Sequence, residues 1–262
     1  MFRTVSVLAA LVVGLWVASA RAQTPFGGDD TGFIPPAKSP TAKCEAGAAK
    51  AVGKLSACIL KCHASRASGK LNDDIAEDVC EGTPGGGVAL PAKSLSGKSC
   101  FASFTTAISK LKGCPSCITG PTVVTDLFAL TEVPIDANNG IVYCDTSRGT
   151  PFGGDDTGDV PPAKSASAKC EAGAAKAEGK LIACIDKCHA SRASGKLADD
   201  TAEDPCEKTL VGKSCAAKFT LAISKLTGCP ACINGTTMAS LAGLTETLLD
   251  GNNSSVYCAL GA

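Results

Sequence analysis

The sequence predicts an all-α fold: two tandem, small, disulfide-stapled helical modules, each an antiparallel helical hairpin with short extra helices, joined by a Gly/Pro/Asp-rich linker. Three observations predict it. The chain repeats itself at a fixed offset, its sixteen cysteines recur in both copies, and its clearest apolar pattern is a heptad seam. Thr24 to Cys80 aligns without a gap with Thr150 to Cys206, and ten of the 57 positions differ. Among the differences are Phe33/Asp159, Val52/Glu178, Ser56/Ile182, Leu60/Asp186 and Val79/Pro205. Cys44, Cys58, Cys62, Cys80, Cys100, Cys114, Cys117 and Cys144 correspond to Cys170, Cys184, Cys188, Cys206, Cys215, Cys229, Cys232 and Cys258. The copies differ in length between Cys80 and Cys100, where Pro84, Gly85 to Gly87 and Pro91 mark a loop that tolerates insertion.

The first 22 residues read as a secretory signal. Arg3 supplies the positive start, Val5 to Val17 is an apolar run too short for a comfortable membrane span, and Ala20-Arg21-Ala22 fits a small-x-small cleavage site. Ala18-Ser19-Ala20 is a second such site, and an uncleaved anchor is the alternative. The expected location is secreted or periplasmic. There an even cysteine count reads as a disulfide framework. The expected organisation is a signal over 1–22, a leader over 23–38, a first module over 39–145, a linker over 146–164 and a second module over 165–262. No later stretch is apolar enough to cross a bilayer. Lysine plus arginine equals aspartate plus glutamate at 25 each, and aromatics are 4% of the chain. That balance argues against a nucleic-acid partner and against an anionic membrane bound by bulk charge.

Each copy opens with a Gly/Pro/Asp-rich leader, Thr24 to Gly32 and Thr150 to Gly158, which reads as a linker. Its acidic pairs, Asp29-Asp30 and Asp155-Asp156, do not make an EF-hand loop. Ser39 and Pro40 start the first helix, and Gly69 sits where it should stop. Cys44, Ala48, Ala51, Leu55, Cys58 and Cys62 repeat at steps of four and three, a seam echoed from Cys170 to Cys188. The differing positions 52, 56 and 60 lie away from that seam, which assigns them to the solvent face. Asp74 with Glu77, and Asp200 with Glu203, read as capping boxes for a short second helix, shorter in the second copy because of Pro205. A third helix spans about Ser99 to Lys112, with Phe104, Ile108 and Leu111 apolar, as are Phe219, Ile223 and Leu226. It ends at Gly113 and Pro115, or Gly228 and Pro230. A fourth stretch covers Val123 to Leu130, or Met238 to Leu249. It leads through Asn138-Asn139, or Asn252-Asn253, to a final Val-Tyr-Cys.

Spacing suggests the crosslinks. Cys44 and Cys58 are 14 apart, as are Cys100 and Cys114, close to four helical turns. Across an antiparallel hairpin, paired positions have a constant sum. Cys44–Cys114 with Cys58–Cys100, and Cys170–Cys229 with Cys184–Cys215, satisfy that rule. Cys62–Cys80 and Cys188–Cys206 would close the hairpin tips. Cys117–Cys144 and Cys232–Cys258 would pin the fourth stretches. Eight cysteines permit 105 pairings, so this connectivity is one choice among many.

Few motifs carry chemistry. Cys58, Cys62 and His63, with Cys184, Cys188 and His189, resemble a c-type haem attachment site lengthened by one residue. They hold the only two histidines in the chain. No distal ligand accompanies them, and both cysteines also fit the disulfide seam. Zinc at Cys62 and His63 lacks the remaining ligands, so no metal is expected. Cys114-Pro115-Ser116-Cys117 and Cys229-Pro230-Ala231-Cys232 look like redox-active C-P-x-C sites, but follow a helix end without the βαβ context. The paired Asp73-Asp74 reads as a cap. No hydrolase, metalloprotease or phosphate-loop motif occurs.

The Gly-Gly-Asp-Asp-Thr-Gly leader followed by Pro-Pro-x-Lys, the Lys61-Cys62-His63 and Lys187-Cys188-His189 steps, and the later C-P-x-C resemble a group of exported bacterial eight-cysteine helical repeat proteins. That resemblance implies location and module type, and no activity. The pattern is also similar to plant eight-cysteine helical domains of lipid-transfer proteins and seed albumins, without their adjacent Cys-Cys and Cys-x-Cys steps. The resulting expectation is a non-catalytic secreted or periplasmic protein with a structural or interaction role. No cofactor is expected, and the partner is a protein or cell-envelope component. The alternatives are a c-type haem electron carrier and a small-ligand or lipid carrier.

Overall fold

The computed structural model describes residues 26, 32–82, 99–120, 122–153, 158–160, 162, 164–209 and 212–259. The signal segment, the Asp29-Asp30 and Asp155-Asp156 pairs and the Pro84 to Pro91 insertion lie outside these. Among the described residues the chain is helical, and an isolated bridge joins Pro151 and Asp159.

The longest elements are α1 (Pro40–Ala67) and its repeat, α6 (Ala166–Ala193), of 28 residues each. Both begin as their sequences dictate. Ser39 and Ser165 accept hydrogen bonds from the Ala42 and Ala168 amides at 3.0 Å, satisfying a donor that the first turn leaves open. After α1 come α2 (Asp74–Glu81), α3 (Cys100–Ser109), the single turn α4 (Ser116–Thr119) and α5 (Val123–Val142). After α6 come α7 (Asp200–Asp204), α8 (Cys215–Ile223) and α9 (Gly235–Asn253). Asp73 and Asp199 cap α2 and α7 through the Ala76 and Ala202 amides. Pro205 does end α7, but the chain continues as a wider π-type turn over Pro205–Thr209.

The first correction concerns the fourth stretch. It does not stop at Leu130 but runs on through Pro134 and Asn138-Asn139 to Val142. Asn138 Nδ2 donates back to the Pro134 carbonyl at 2.8 Å, reinforcing the turn after the proline. A helix of 20 residues is about 30 Å long. Cys117 and Cys144, at its two ends, are therefore far beyond the 4.4–6.8 Å that a disulfide spans. The expected Cys117–Cys144 and Cys232–Cys258 pairs are replaced by Cys117–Cys258 and Cys144–Cys232, with Cα atoms 6.2 Å apart in each. These two bridges cross between the repeats.

The remaining six bridges join Cys44–Cys114, Cys58–Cys100, Cys62–Cys80, Cys170–Cys229, Cys184–Cys215 and Cys188–Cys206. No cysteine is free. Neither C-P-x-C step pairs with itself, so neither holds the vicinal disulfide of a redox site.

The repeats interpenetrate through α1 and α6, which pack antiparallel along much of their length. A Cβ placed on Gly53 would lie 3.3 Å from Ala183 Cα, and one on Gly179 would lie 3.3 Å from Ala57 Cα. As α1 ascends, α6 descends, and the two glycines let the backbones touch. This arrangement overturns the assignment of positions 52, 56 and 60 to solvent. Val52, Ser56, Leu60, Glu178, Ile182 and Asp186 are all buried. A continuous helix of small residues has a buried face on more than one side, and the seam marks only the face toward α3 and α8.

Other contacts cross between repeats. Glu45 of α1 accepts the Ala259 amide at 2.9 Å, and Glu171 of α6 accepts the Asp145 amide at 2.9 Å. Each buried glutamate thus ties down the closing segment of the other repeat. The leaders are also more than linkers. Phe26 and Phe152 are each 1% exposed and pack edge-on to Tyr257 and Tyr143, with ring centroids 5.3 Å apart.

Candidate metal centres

The only two histidines lie one residue after a bridged cysteine, near the ends of α1 and α6. Cys62–Cys80 straps α2 to α1, so Glu77 and Glu81, one helical turn apart, face His63. Asp136 and Asn139, on successive turns of α5, close the other side. His63 Nε2 lies 3.0 Å from Glu81 Oε1, 3.3 Å from Asp136 Oδ1 and 3.8 Å from Glu77 Oε1. His63 Nδ1 lies 3.0 Å from Asn139 Oδ1, and Asn139 Nδ2 donates to the Phe152 carbonyl at 3.4 Å. The Phe152 ring stands edge-on to His63 at 6.1 Å.

The second repeat builds the same carboxylate set, but His189 Nδ1 has no hydrogen-bond partner among the described residues. His189 Nε2 lies 3.0 Å from Glu207 Oε1 and 3.1 Å from Asp250 Oδ1, and Glu203 completes the group. Phe26 stands edge-on to His189 at 6.5 Å. Both histidines and all four glutamates are at most 2% exposed. Asp136 and Asp250 keep 17% and 19%, giving each cluster one edge toward solvent.

Three carboxylates around one imidazole make a strongly negative pocket. Burial by itself would lower the His63 pKa. The close contacts with Asp136 and Glu81 and the charges of Glu81 and Glu77 outweigh it, and the net shift is well upward. His189 follows the same pattern and is raised to about 10, with Asp250 and Glu207 as its partners. Glu203 is raised to about 7, chiefly by burial and partly relieved by His189. Both centres therefore demand positive charge at Nε2.

A proton meets that demand poorly. One imidazolium facing three carboxylates leaves negative charge in a desolvated site, which is costly unless it is balanced further, as Arg192 does in part, 4.0 Å from Glu203. The geometry points elsewhere. Nε2 of His63 makes no well-directed hydrogen bond to any of its neighbours, nor does Asp136 Oδ1. Asn139 Oδ1 accepts from Nδ1, so Nε2 is the ring atom left facing the carboxylates, where a metal ion would replace its proton. That is how proteins orient a metal-bound histidine. Ligands bound to one ion at 2.0–2.2 Å in a tetrahedron stand about 3.3–3.6 Å apart. The observed separations bracket that spacing. One imidazole nitrogen with three carboxylates is a hard-to-intermediate donor set, suited to zinc, manganese or iron and unsuited to copper(I).

Haem attachment is not supported. Cys58 and Cys62 are spent on Cys100 and Cys80, Cys184 and Cys188 on Cys215 and Cys206, and neither His63 nor His189 faces open space. The Cys58-Cys62-Cys100 and Cys184-Cys188-Cys215 groupings are disulfide pairs in contact, not thiolate ligand sets. Glu77 and Glu203, the expected capping-box partners, instead face the histidines, and Asp73 and Asp199 supply the side-chain caps. A signal was present. Glu77, Glu81, Asp136 and Asn139 all recur as Glu203, Glu207, Asp250 and Asn253.

No protein-family model, curated protein or solved structure matches the chain.

Proposed function

We propose that the protein is an extracytoplasmic, non-catalytic metal-binding protein that holds two divalent ions, one at each His-Glu-Glu-Asp centre. The observation that carries this reading is the aim of His63 Nε2. It faces Glu81, Asp136 and Glu77 at 3.0, 3.3 and 3.8 Å while Asn139 occupies Nδ1, and around His189 the carboxylate side of the arrangement recurs, with Nε2 3.0 Å from Glu207 and 3.1 Å from Asp250. Four protein ligands in a largely buried pocket are the mark of a site that holds its ion rather than one that offers it to substrate. Eight disulfides suit an oxidising compartment, and the amino-terminal signal pattern and the resemblance to exported eight-cysteine repeats support secretion or a periplasmic location.

The test is elemental analysis of the natively exported protein, followed by chelation and titration with zinc, manganese and iron(II). Two equivalents per chain are expected, falling to one in either His63→Gln or His189→Gln and to none in the double variant. A protein that is exported without metal and takes up none of the three ions refutes the reading.

A further inference from the structure

A second site, distinct from the carboxylates that face each histidine, lies in a cleft between the two centres. Its walls are α5 and α9, and its floor is the contact face of α1 and α6. The walls are apolar: Leu127, Ile135, Leu241 and Leu248 line them, and the equivalent residues Leu130 and Leu244 form the lips at 41% and 44% exposure.

The floor is where the two repeats differ. Of the ten substitutions across 57 aligned positions, three fall on this face: Val52/Glu178, Ser56/Ile182 and Leu60/Asp186. The first repeat keeps it free of charge. The second places two carboxylates there, each 6% exposed. Asp186 Oδ2 has no hydrogen-bond partner, and the carboxylate fits only because Gly53 opposite has no side chain. A folding-driven change would not bury two carboxylates in place of valine and leucine, since such groups cost stability unless something pairs with them.

We propose that this cleft binds a linear aliphatic diamine, with its ammonium ends at Glu178 and Asp186 and its methylene chain over Ile182. The dimensions set the length. Glu178 and Asp186 are eight residues apart on one helix, so their Cα atoms are about 12 Å apart along its axis. An extended chain gains about 3.6 Å per three bonds, so nine bonds reach about 11 Å. That is an α,ω-diamine with a spacer of eight atoms. The enclosed part of the cleft is about 70 Å³, so a chain of this length lies mostly along its open mouth. Burial holds both carboxyls up at about 7 in the absence of a partner, so an arriving dication meets groups that ionise readily to receive it. This proposal does not depend on the metal reading.

The experiment is calorimetric titration of the full exported protein with 1,5-diaminopentane, 1,8-diaminooctane, 1,12-diaminododecane, 1-octanol and octanoate. One equivalent of 1,8-diaminooctane is expected, bound at least tenfold more tightly than the shorter or longer diamine and than either uncharged or anionic probe. The variant Glu178→Val/Asp186→Leu restores the residues that α1 carries at the equivalent places and should lose at least tenfold in affinity. Glu178→Gln/Asp186→Asn, which keeps the shapes, should do the same and serves if the first variant does not fold. Equal binding of octanol or octanoate, undiminished binding by either folded variant, or no binding of any diamine overturns the proposal.

Discussion

Replacing Cys144 and Cys232 by serine isolates one crossing bridge. The two residues are 88 apart in sequence, but the other bridges shorten the loop that their bond closes. The chain runs 26 residues from Cys144 to Cys170, crosses to Cys229, and needs three more to reach Cys232. An effective loop of about 30 residues corresponds to about 3.6 kcal/mol of restricted unfolded-state entropy, against about 4.6 kcal/mol for the uncorrected separation. At 2–4 °C per kcal/mol for a chain of this size, Tm should fall by roughly 7–14 °C. The same bridge anchors the carboxyl end of α5, which carries Asp136 and Asn139 to His63. Occupancy of the first centre should therefore weaken while the second is less affected. Calorimetry without reductant measures the first effect and metal analysis the second. The reasoning fails if Tm is unchanged, or if peptide mapping of the parent protein recovers Cys117 linked to Cys144.

Four further outcomes follow from the same geometry. Asn139→Leu removes the acceptor that orients His63, and should weaken metal at the first centre by about 10–100-fold in competition with a chelator, leaving the second unchanged. Phe152→Ala empties a site 1% exposed against Tyr143 and His63 and should cost about 3–5 kcal/mol in denaturant unfolding. Gly179→Leu forces a side chain against the Ala57 backbone and should destabilise by about 1–3 kcal/mol or more, whereas Gly243→Ala, with open space beside it, should be neutral or slightly stabilising. Burial raises Glu178 and Asp186 to about 7 from 4.5 and 3.8; the charges of His63, and of His189 and Glu207, act on them in turn. The folded chain then holds protons that the unfolded chain has released. Their contribution to stability is complete below about pH 4 and is lost as pH rises through 7. The Val/Leu double variant should flatten that decline in urea midpoints measured from pH 4 to 8; an identical slope in both proteins contradicts the assignment.

How far the site could be read in advance depended on distance along the chain. The cap at Ser39, the stop near Gly69 and the rungs of the α1–α3 ladder rest on contacts within a helix or across one hairpin. Spacing alone constrains those. His63 stood out because histidine is rare here, but its partners come from 14, 18 and 73 residues further on. The last of these lies in a region where the offset between repeats has shifted from 126 to 114, which hid the match of Asp136 with Asp250. The solvent-face reading of positions 52, 56 and 60 failed for a related reason. Periodicity marks one apolar face of a helix, and a second face that packs against another repeat need not be apolar throughout.

By itself the sequence determined the helical class and the duplication, and it suggested an oxidising setting and six of the crosslinks, because each rests on local periodicity, residue chemistry or hairpin spacing. Only the tertiary structure decided that α5 and α9 run unbroken, which separates their flanking cysteines and sends two disulfides between repeats. It alone brought α1 against α6 and gathered the carboxylates around each histidine. Those outcomes depend on which surfaces meet when two similar halves pack, and no single stretch of chain encodes that choice.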